Sequence, residues 1–399
     1  MEVCKKVHVF ALLVSTFCWH TWIVSGLSSI NGVIRSEKYQ GGLCSIFVQP
    51  YSKYNCHEYS IGTSDGFKLG VQRLNIPSFS KGPVLLNHGV LSGGDSWILN
   101  PPGESPAFIL ADAGYDVWIG NARTTSFSYG HEYLTENDKA YWDWSVDELA
   151  AIDLPTMVYL VNNITKRNMH FIGFSQGTQA ALAAFSEGSI GDKVEKVALL
   201  APVAYVSHAY TPIGVAAAVL HLDKVFQDLG LHSFSTKTKT GKQYVDMICA
   251  AANTRCFEGL TDTFTGINCC INNSRRAFYE KYETQTTSTK NLAHLAQIYR
   301  ANKFQKYDYG LLQNFIKYGS KDPPEYDLSK VPKQKLFLAA GEKDALANEL
   351  DVERLKIDLG GQGFQYLYKP NYAHLDFILA YNCKQELYDH VISFFENNV

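Results

Sequence analysis

A serine lies between two glycines in Gly173-Phe-Ser175-Gln-Gly177, between a short apolar segment, His170–Ile172, and an alanine-rich segment, Gln176–Glu187. The first segment predicts a strand and the second a helix. Glycines at both sides permit a tight turn between them, and the free N–H groups at the start of the helix favour negative charge beside the serine. This context is typical of a nucleophile elbow, whereas the same letters in a glycine-rich loop would carry no chemistry.

A serine hydroxyl needs a general base to become a nucleophile. Among the histidines well beyond Ser175, His374 follows the predicted strand Gln365–Leu367 in a loop. His294 falls in a helical segment and His390 in the closing helix. We therefore predict His374 as the base, although a single histidine can also be purely structural.

The base in turn needs an acid that fixes its tautomer. The segment Ala340–Asp344 directly follows the predicted strand Lys335–Ala339, so the Asp344 carboxylate is expected at the same sheet edge as the serine. Glu342 is a competitor two residues earlier. Asp376 is closer in sequence to His374, but a group two residues away in one loop is poorly placed to orient that ring. We predict Asp344 as the acid and a local hydrogen-bonding role for Asp376.

Attack on a carbonyl also requires hydrogen-bond donors for the developing oxyanion. The backbone N–H of Gln176, which follows the serine, is one candidate. The segment His88-Gly89-Val90-Leu91 follows the predicted strand Val84–Leu86 and suggests the Val90 N–H as the second. His88 itself is expected to brace this loop.

Short apolar segments alternate with helical ones through the first half of the chain and return near its end, which predicts a parallel sheet covered on both faces. Between them, residues 205–321 are helical in pattern and show no obvious buried strand. The expected domains are an α/β core formed by 27–204 and 322–399, and a helical cap formed by 205–321. A cap inserted at the carboxyl ends of the strands would lie over a ligand crevice.

The first 26 residues resemble a secretory signal. Lys5 and Lys6 precede an apolar run, Val7–Val24, and small residues end at Gly26, where cleavage is expected. The alternative is a membrane anchor, but the run is interrupted by polar residues and is at the short limit for spanning a bilayer. No later segment is long and apolar enough to span, so we expect a soluble protein that is secreted or delivered to a lysosome or vacuole.

Nine cysteines occur, and removal of Cys4 and Cys18 with the signal leaves seven, so at least one thiol stays unpaired. Proximity makes Cys44–Cys56 and Cys249–Cys256 plausible disulfides in an oxidising compartment. Metal binding is disfavoured because no CxxC is present. The sequons at Asn163 and Asn272 are possible glycosylation sites.

The composition excludes several classes of protein. Thirty-six basic and thirty-nine acidic residues give a net charge of −3, which argues against nucleic acid as a partner. The 399 residues are 46% apolar, with ordinary glycine and proline content and no internal repeat, so a sizeable folded core is expected.

Taken together, these stretches resemble the acid lipase family of α/β-hydrolases, which includes gastric and lysosomal lipases and their plant relatives. The similarity extends from about Tyr54 to the end and is weakest from about Tyr210 to Thr289; the segment Asn268–Asn273 looks most like plant members, including a possible triacylglycerol lipase. The matching motifs are Glu58–Gly66, Asn87–Leu91 with Ser96-Trp97, Asp116–Arg123, Trp144–Glu148 with Asp153–Pro155, Tyr307–Gly310, Pro323-Pro324, Asp344–Asp351 and His374–Phe377.

The resemblance implies an α/β-hydrolase fold, a triad of Ser175, Asp344 and His374, and an oxyanion hole formed by Val90 and Gln176. It also implies hydrolysis of triacylglycerol or steryl ester at a lipid–water interface, without a metal or organic cofactor, and a cap whose lid moves there. One departure is that the family usually has histidine before the nucleophile, where this chain has Phe174.

An apolar stripe in the cap has a spacing typical of a helix face: Val215, Val219, Leu222, Phe226 and Leu229. The stripe could pack onto the core or meet lipid. Three other functions remain open: a small-ester hydrolase or peptidase of the same fold, an inactive lipid-binding protein, and a structural or surface-adhesion role in which the triad is coincidental.

Overall fold

The computed structural model describes residues 42–219, 221, 224, 230–235, 256–282 and 284–397. Its strands, in chain order, are β1 Asn55–Gly62, β2 Lys68–Asn75, β3 Pro83–Asn87, β4 Asp116–Gly120, β5 Met169–Phe174, β6 Val194–Leu200, β7 Ser233–Phe234, β8 Thr287–Ser288, β9 Leu336–Gly341 and β10 Gln365–Lys369. Eight of them form one sheet in the order β1-β2-β4-β3-β5-β6-β9-β10.

The α-helices of the same residues alternate with these strands in the core and follow one another in the cap. They are α1 Pro106–Asp112, α2 Val146–Glu148, α3 Leu154–Thr165, α4 Gln176–Ser186, α5 Pro212–Val219, α6 Cys256–Thr265, α7 Arg276–Tyr282, α8 Thr289–Ala301, α9 Leu311–Tyr318, α10 Glu349–Asp358, α11 Asp376–Leu379 and α12 Asp389–Glu396. π-Helical turns join α2 to α3 and lead into α12.

The large sheet is parallel from β4 through β10, and β2 pairs antiparallel with both β1 and β4. The central strands are buried on both faces, as expected for a parallel sheet covered by helices. In β3, for example, Val84 and Leu86 join one hydrophobic core and Leu85 joins the other. The predicted fold class, an α/β-hydrolase sheet with helices on both faces, is confirmed.

The inserted segment differs from its prediction in one respect. It contains a short antiparallel pair, in which Ser233 lies opposite Ser288 and Phe234 opposite Thr287. Two residues per strand are too few to produce a recognisable pattern of alternation, and Thr287 and Ser288 are buried although polar. The bounds of the cap and core remain predictions, and so does the secretory signal, whose 26 residues lie outside the described chain.

The predicted apolar stripe is described only in part. Val215 is half-buried and Val219 is exposed, whereas Leu222, Phe226 and Leu229 lie outside the described residues. Among the described residues, no helix combines the length and the apolar character needed to cross a bilayer.

Cys44 and Cys56 form the predicted disulfide. The neighbours Cys269 and Cys270 form a second one, which was not anticipated, and Cys383 is a buried free thiol. The predicted pair Cys249–Cys256 cannot be compared, because Cys249 lies outside the described residues.

The two sequons occupy different surroundings. Asn163 is half-buried in α3, and its side-chain oxygen accepts a hydrogen bond from Lys166 Nζ at 3.1 Å. Asn272 Nδ2 donates to Glu104 Oε2 at 2.8 Å, and Asn272 Oδ1 accepts from Ser274. Both asparagines are half-buried, and glycosylation at either one stays a prediction.

Candidate active site

The serine of the predicted elbow stands at the turn between β5 and α4 with a positive φ of 53° and a ψ of −121°. This backbone region is rarely adopted by residues other than glycine, and it is a common source of strain at functional sites. Glycines make the turn possible, since a Cβ on Gly177 would overlap the carbonyl oxygens of Asn87 and His88 and one on Gly173 would lie 2.9 Å from the Gly177 oxygen. The sequence therefore folds here into a turn that holds the serine at the end of the strand.

A continuous chain of hydrogen bonds connects the three residues predicted as the triad. Ser175 Oγ lies 2.8 Å from His374 Nε2. His374 Nδ1 lies 2.8 and 3.0 Å from the two carboxylate oxygens of Asp344. With the proton assigned to Nδ1, Nε2 is free to accept the serine proton, which is the arrangement that a general base requires. All three side chains are buried.

The acid is held by its own loop. Asp344 follows β9, and its Oδ1 accepts hydrogen bonds from the backbone N–H groups of Leu346 and Ala347, each at 2.8 Å. Glu342, the competitor, is exposed and pairs with the neighbouring Lys343. Of the other histidines considered, His294 of α8 is buried beside the Gln305 carbonyl and the Asp147 carboxylate of α2, and His390 is exposed on α12.

The predicted oxyanion donors belong to the residue after the serine and to a loop that approaches it. Among the described residues, no acceptor is bonded to the backbone N–H of Val90 or of Gln176, which leaves both available to an oxyanion. The loop that carries Val90 approaches the serine closely, since a Cβ on Gly89 would lie 2.9 Å from Ser175 Cβ. Leu91, the next residue after Val90, has a φ of 58°.

His88 braces this loop. Its Nε2 accepts a hydrogen bond from the backbone N–H of Ala122 at 3.0 Å, so its Nδ1 carries the proton and donates to the Gly89 carbonyl oxygen at 2.8 Å. Burial lowers the pKa of His88 to about 4, and the ring is therefore neutral at physiological pH. A neutral ring with both nitrogens occupied is suited to fixing the loop and has no free nitrogen for proton transfer.

Asp376 fixes the loop that carries the base. Its carboxylate accepts backbone N–H groups from Ala373 at 2.8 Å and from Cys269 and Cys270 at 3.0 Å. Burial, aided by the nearby charge of Asp344, raises the pKa of Asp376 to about 6 despite these three donors. The residue joins the His374 loop to the Cys269–Cys270 disulfide, a connection that spacing in the sequence does not reveal.

The same part of the cap contacts both the acid and the base loops. The Thr265 carbonyl oxygen, at the end of α6, accepts from the backbone N–H of His374 at 3.1 Å and of Ala345 at 3.4 Å. Asn268 Oδ1 accepts from the Leu375 N–H at 3.0 Å. Residues 265–270 therefore connect the Asp344 loop to the His374 loop, and we call these residues the cap clamp.

Two further residues of the predicted cap, Asn291 and Gln285, support the oxyanion side, and no motif or spacing in the sequence indicates either. Gln176 and Asn291 exchange reciprocal side-chain hydrogen bonds of 3.1 and 2.9 Å. Gln285 donates its backbone N–H to the Leu91 carbonyl at 2.8 Å and its Nε2 to Asp95 at 3.0 Å. Both are amide side chains buried in the cap and far from their partners in sequence.

Phe174, the departure noted before the nucleophile, packs against the base. Its ring centroid lies 4.9 Å from that of His374 and 6.5 Å from that of Trp97. The aromatic ring thus forms part of the wall beside the imidazole without replacing any of the three hydrogen-bonded groups.

Comparison with known proteins identifies the family of this chain. Residues 48–101 match the family model for the partial alpha/beta-hydrolase lipase region. Triacylglycerol lipase 1 of Arabidopsis thaliana is 38% identical over 94% of this chain and 97% of its own length. The chain belongs to the acid lipase family of α/β-hydrolases. A second relative of this acid lipase, human gastric triacylglycerol lipase, is 33% identical over 86% of the chain and 88% of its own length.

Solved structures are similar to this acid lipase in fold alone. A soluble variant of monoglyceride lipase from Saccharomyces cerevisiae superimposes with a TM-score of 0.56 at 13% identity, covering 85% of this chain and 94% of that one. A thermostable carboxyl esterase from Bacillus coagulans gives a TM-score of 0.54 at 14% identity, covering 85% and 97%.

Proposed function

We propose that this acid lipase hydrolyses carboxylic esters of neutral lipids through an acyl-enzyme on Ser175, with triacylglycerol as the favoured substrate class. The observation that carries the proposal is the unbroken chain of hydrogen bonds from Ser175 Oγ through His374 to Asp344. The relatives named triacylglycerol lipase support the choice of substrate.

Acylation begins when His374 Nε2 takes the Ser175 proton as Oγ bonds to the ester carbon. The carbonyl electron pair moves to oxygen, and the resulting oxyanion accepts the Val90 and Gln176 N–H groups. When this intermediate collapses, the ester C–O bond breaks and the alcohol leaves with the proton from Nε2. Asp344 stabilises the imidazolium that exists between these two proton transfers.

Deacylation repeats the sequence with water as the nucleophile. His374 accepts a proton from water while the water oxygen bonds to the acyl carbon. Collapse releases the carboxylic acid, and Nε2 returns the proton to Ser175 Oγ. The chemistry assigned to these residues uses no metal or organic cofactor.

We also propose that the chain follows the secretory pathway after cleavage behind Gly26 and is either secreted or delivered to a lysosome or vacuole. The Cys44–Cys56 disulfide supports an oxidising compartment. Amino-terminal sequencing of the protein from a eukaryotic expression host should begin at Leu27. A mature protein that retains residues 1–26 would contradict this proposal.

The substrate class is tested with emulsified long-chain triacylglycerol, a soluble short-chain nitrophenyl ester and a peptide. We expect hydrolysis of both esters, preference for the emulsion, no peptide cleavage, and a loss of at least about 10⁴-fold in Ser175→Ala. Activity on soluble esters alone would favour a small-ester hydrolase. Failure to react with a fluorophosphonate, together with no turnover, would favour a lipid-binding protein.

A further inference from the structure

Helix α9 is attached to the protein by its polar side. Asn314 is buried, and its Nδ2 donates to Asp308 Oδ1 at 2.7 Å and to the Lys321 carbonyl at 2.9 Å. Its Oδ1 accepts from the Tyr309 N–H at 2.9 Å, and Tyr318 Oη donates to the Tyr307 carbonyl at 2.9 Å. These bonds fix which face of the helix points outward.

The outward face is apolar. Leu311, Leu312, Phe315 and Ile316 are 60%, 74%, 52% and 75% exposed. Positions i, i+1, i+4 and i+5 fall on one side of a helix, so these side chains form one continuous surface, which we call the α9 face. A helix of a globular protein normally buries its apolar stripe and exposes its polar side. Helix α9 instead exposes its apolar side and buries the polar Asn314.

We propose that the α9 face docks onto the lipid–water interface, an assignment that rests on the proposed function. Four side chains on a helix of eight residues expose on the order of a few hundred Å² of apolar surface. A stable dimer needs about 800 Å² per partner, so a second copy of this chain is a poor match for a patch of this size. Shallow insertion of one short amphipathic helix requires no such area.

The charges at the edge of the α9 face also suit a lipid surface. Lys317 is exposed on the helix, with its Nζ 4.4 Å from the Tyr309 ring centroid. The Lys321 side chain is 71% exposed just beyond the helix, with its Nζ 3.8 Å from a carboxylate oxygen of Asp322. Lysines beside an apolar helix face are typical of helices that lie in a membrane interface, where they meet anionic groups. The fatty acid released by the proposed reaction supplies such carboxylates.

The helix is also connected to the active site. Tyr309, which precedes α9, accepts a hydrogen bond from Lys290 Nζ at 3.1 Å. Lys290 adjoins Asn291, which pairs with Gln176 at the predicted oxyanion hole. The segment that precedes α9 is therefore bonded to helix α8, which carries Asn291.

The test measures binding without catalysis. In a Ser175→Ala background, flotation with phosphatidylcholine vesicles containing one-fifth phosphatidylglycerol reports the bound fraction. We expect Leu312→Ser/Ile316→Ser to lower the partition coefficient about 10- to 100-fold, because two apolar side chains are no longer transferred from water to lipid when the protein binds. Leu350→Ser/Ile357→Ser is the matched control, since these α10 side chains are 60% and 70% exposed but lie outside the α9 face.

Equal binding by the α9 double variant, its control and the parent would overturn the proposal. So would an oligomer in analytical ultracentrifugation that only the α9 variant loses, with vesicle binding unchanged, because the face would then join copies of the chain. With Ser175 intact, the α9 variant should keep wild-type kcat on a soluble nitrophenyl ester. Absence of ester hydrolysis in the wild type would refute the proposed function, while the binding comparison would still decide the role of the α9 face.

Discussion

The two sides of the active site are supported in different ways. On the oxyanion side, the contacts come mainly from a neutral imidazole and amide side chains: His88 bonds the Gly89 carbonyl, and the Asn291 side chain pairs with that of Gln176. On the acid–base side, carboxylates do this work, because Asp344 bonds the His374 ring and Asp376 bonds its loop. The difference follows the charge that each side must stabilise in the proposed mechanism. Amide and imidazole dipoles support the side where the oxyanion develops, and carboxylates support the side where the imidazolium develops.

The largest effect is expected from Asp344→Asn. The variant should lower kcat about 10⁴-fold, because an amide no longer fixes the productive tautomer of His374 or stabilises its charged form. Steady-state kinetics on a soluble nitrophenyl ester measures the change. Glu342→Gln, on the exposed competitor two residues earlier, is the control and should keep wild-type kcat. A loss of equal size in Glu342→Gln would mean that the acid has been misassigned.

A smaller loss is expected from Asp376→Asn. One amide oxygen cannot accept all three N–H groups that the carboxylate holds, so the His374 loop and the cap clamp should shift relative to each other. A misplacement of about 1 Å can cost about 10²-fold in rate, and we expect kcat to fall by about that factor. Asp389→Asn on the exposed end of α12 is the control. Wild-type kcat in Asp376→Asn would show that this carboxylate is not needed to position the base.

On the oxyanion side, Asn291→Ala should have a still smaller effect. Removal of the reciprocal amide pair leaves the Gln176 side chain buried without its partner, and we expect kcat to fall about tenfold with little change in KM. Gln297→Ala, on the same helix α8, serves as the control, because the Gln297 side chain exchanges two hydrogen bonds with the backbone of the exposed Asp308. A tenfold change in KM at constant kcat would indicate a substrate contact and contradict a positioning role.

The effect of pH is expected on stability and not on kcat, and it has opposite signs on the two sides. The pKa of His88 is about 4 in the fold against 6.5 unfolded, so acidification between these values binds protons to the unfolded chain and lowers the free energy of unfolding. The pKa of Asp376 is about 6 against 3.8, so protons bind the folded chain between these values and acidification raises that free energy. Each contribution is on the order of 3 kcal/mol.

Urea unfolding at pH 7, 5 and 4 separates the two contributions. His88→Gln should lose less stability than the wild type on acidification, and Asp376→Asn should lose more. His170, whose pKa burial also lowers to about 4, contributes equally to all three proteins. The reverse ranking would contradict the opposite roles assigned to His88 and Asp376.

The site residues that are positioned by regular strands could be predicted from the sequence. Ser175, Asp344 and His374 each follow a strand of one parallel sheet, and the carboxyl ends of parallel strands share an edge. The supporting residues were not predictable in this way. Gln176 and Asn291 are 115 positions apart, and Gln285 and Asp95 are 190 apart. Polar residues in a cap have no periodicity that reveals such partners. The disulfide between Cys269 and Cys270 could not be predicted from the cysteine spacing either.

The central claim is that Ser175 becomes acylated during turnover. Rapid acid quenching with a soluble nitrophenyl ester, followed by peptide mass spectrometry, tests it directly. The account predicts one acyl group on the peptide that contains Ser175, formed within the first turnover and absent in Ser175→Ala. Turnover with the acyl group on another residue, or sustained hydrolysis by Ser175→Ala at the wild-type rate, would contradict it.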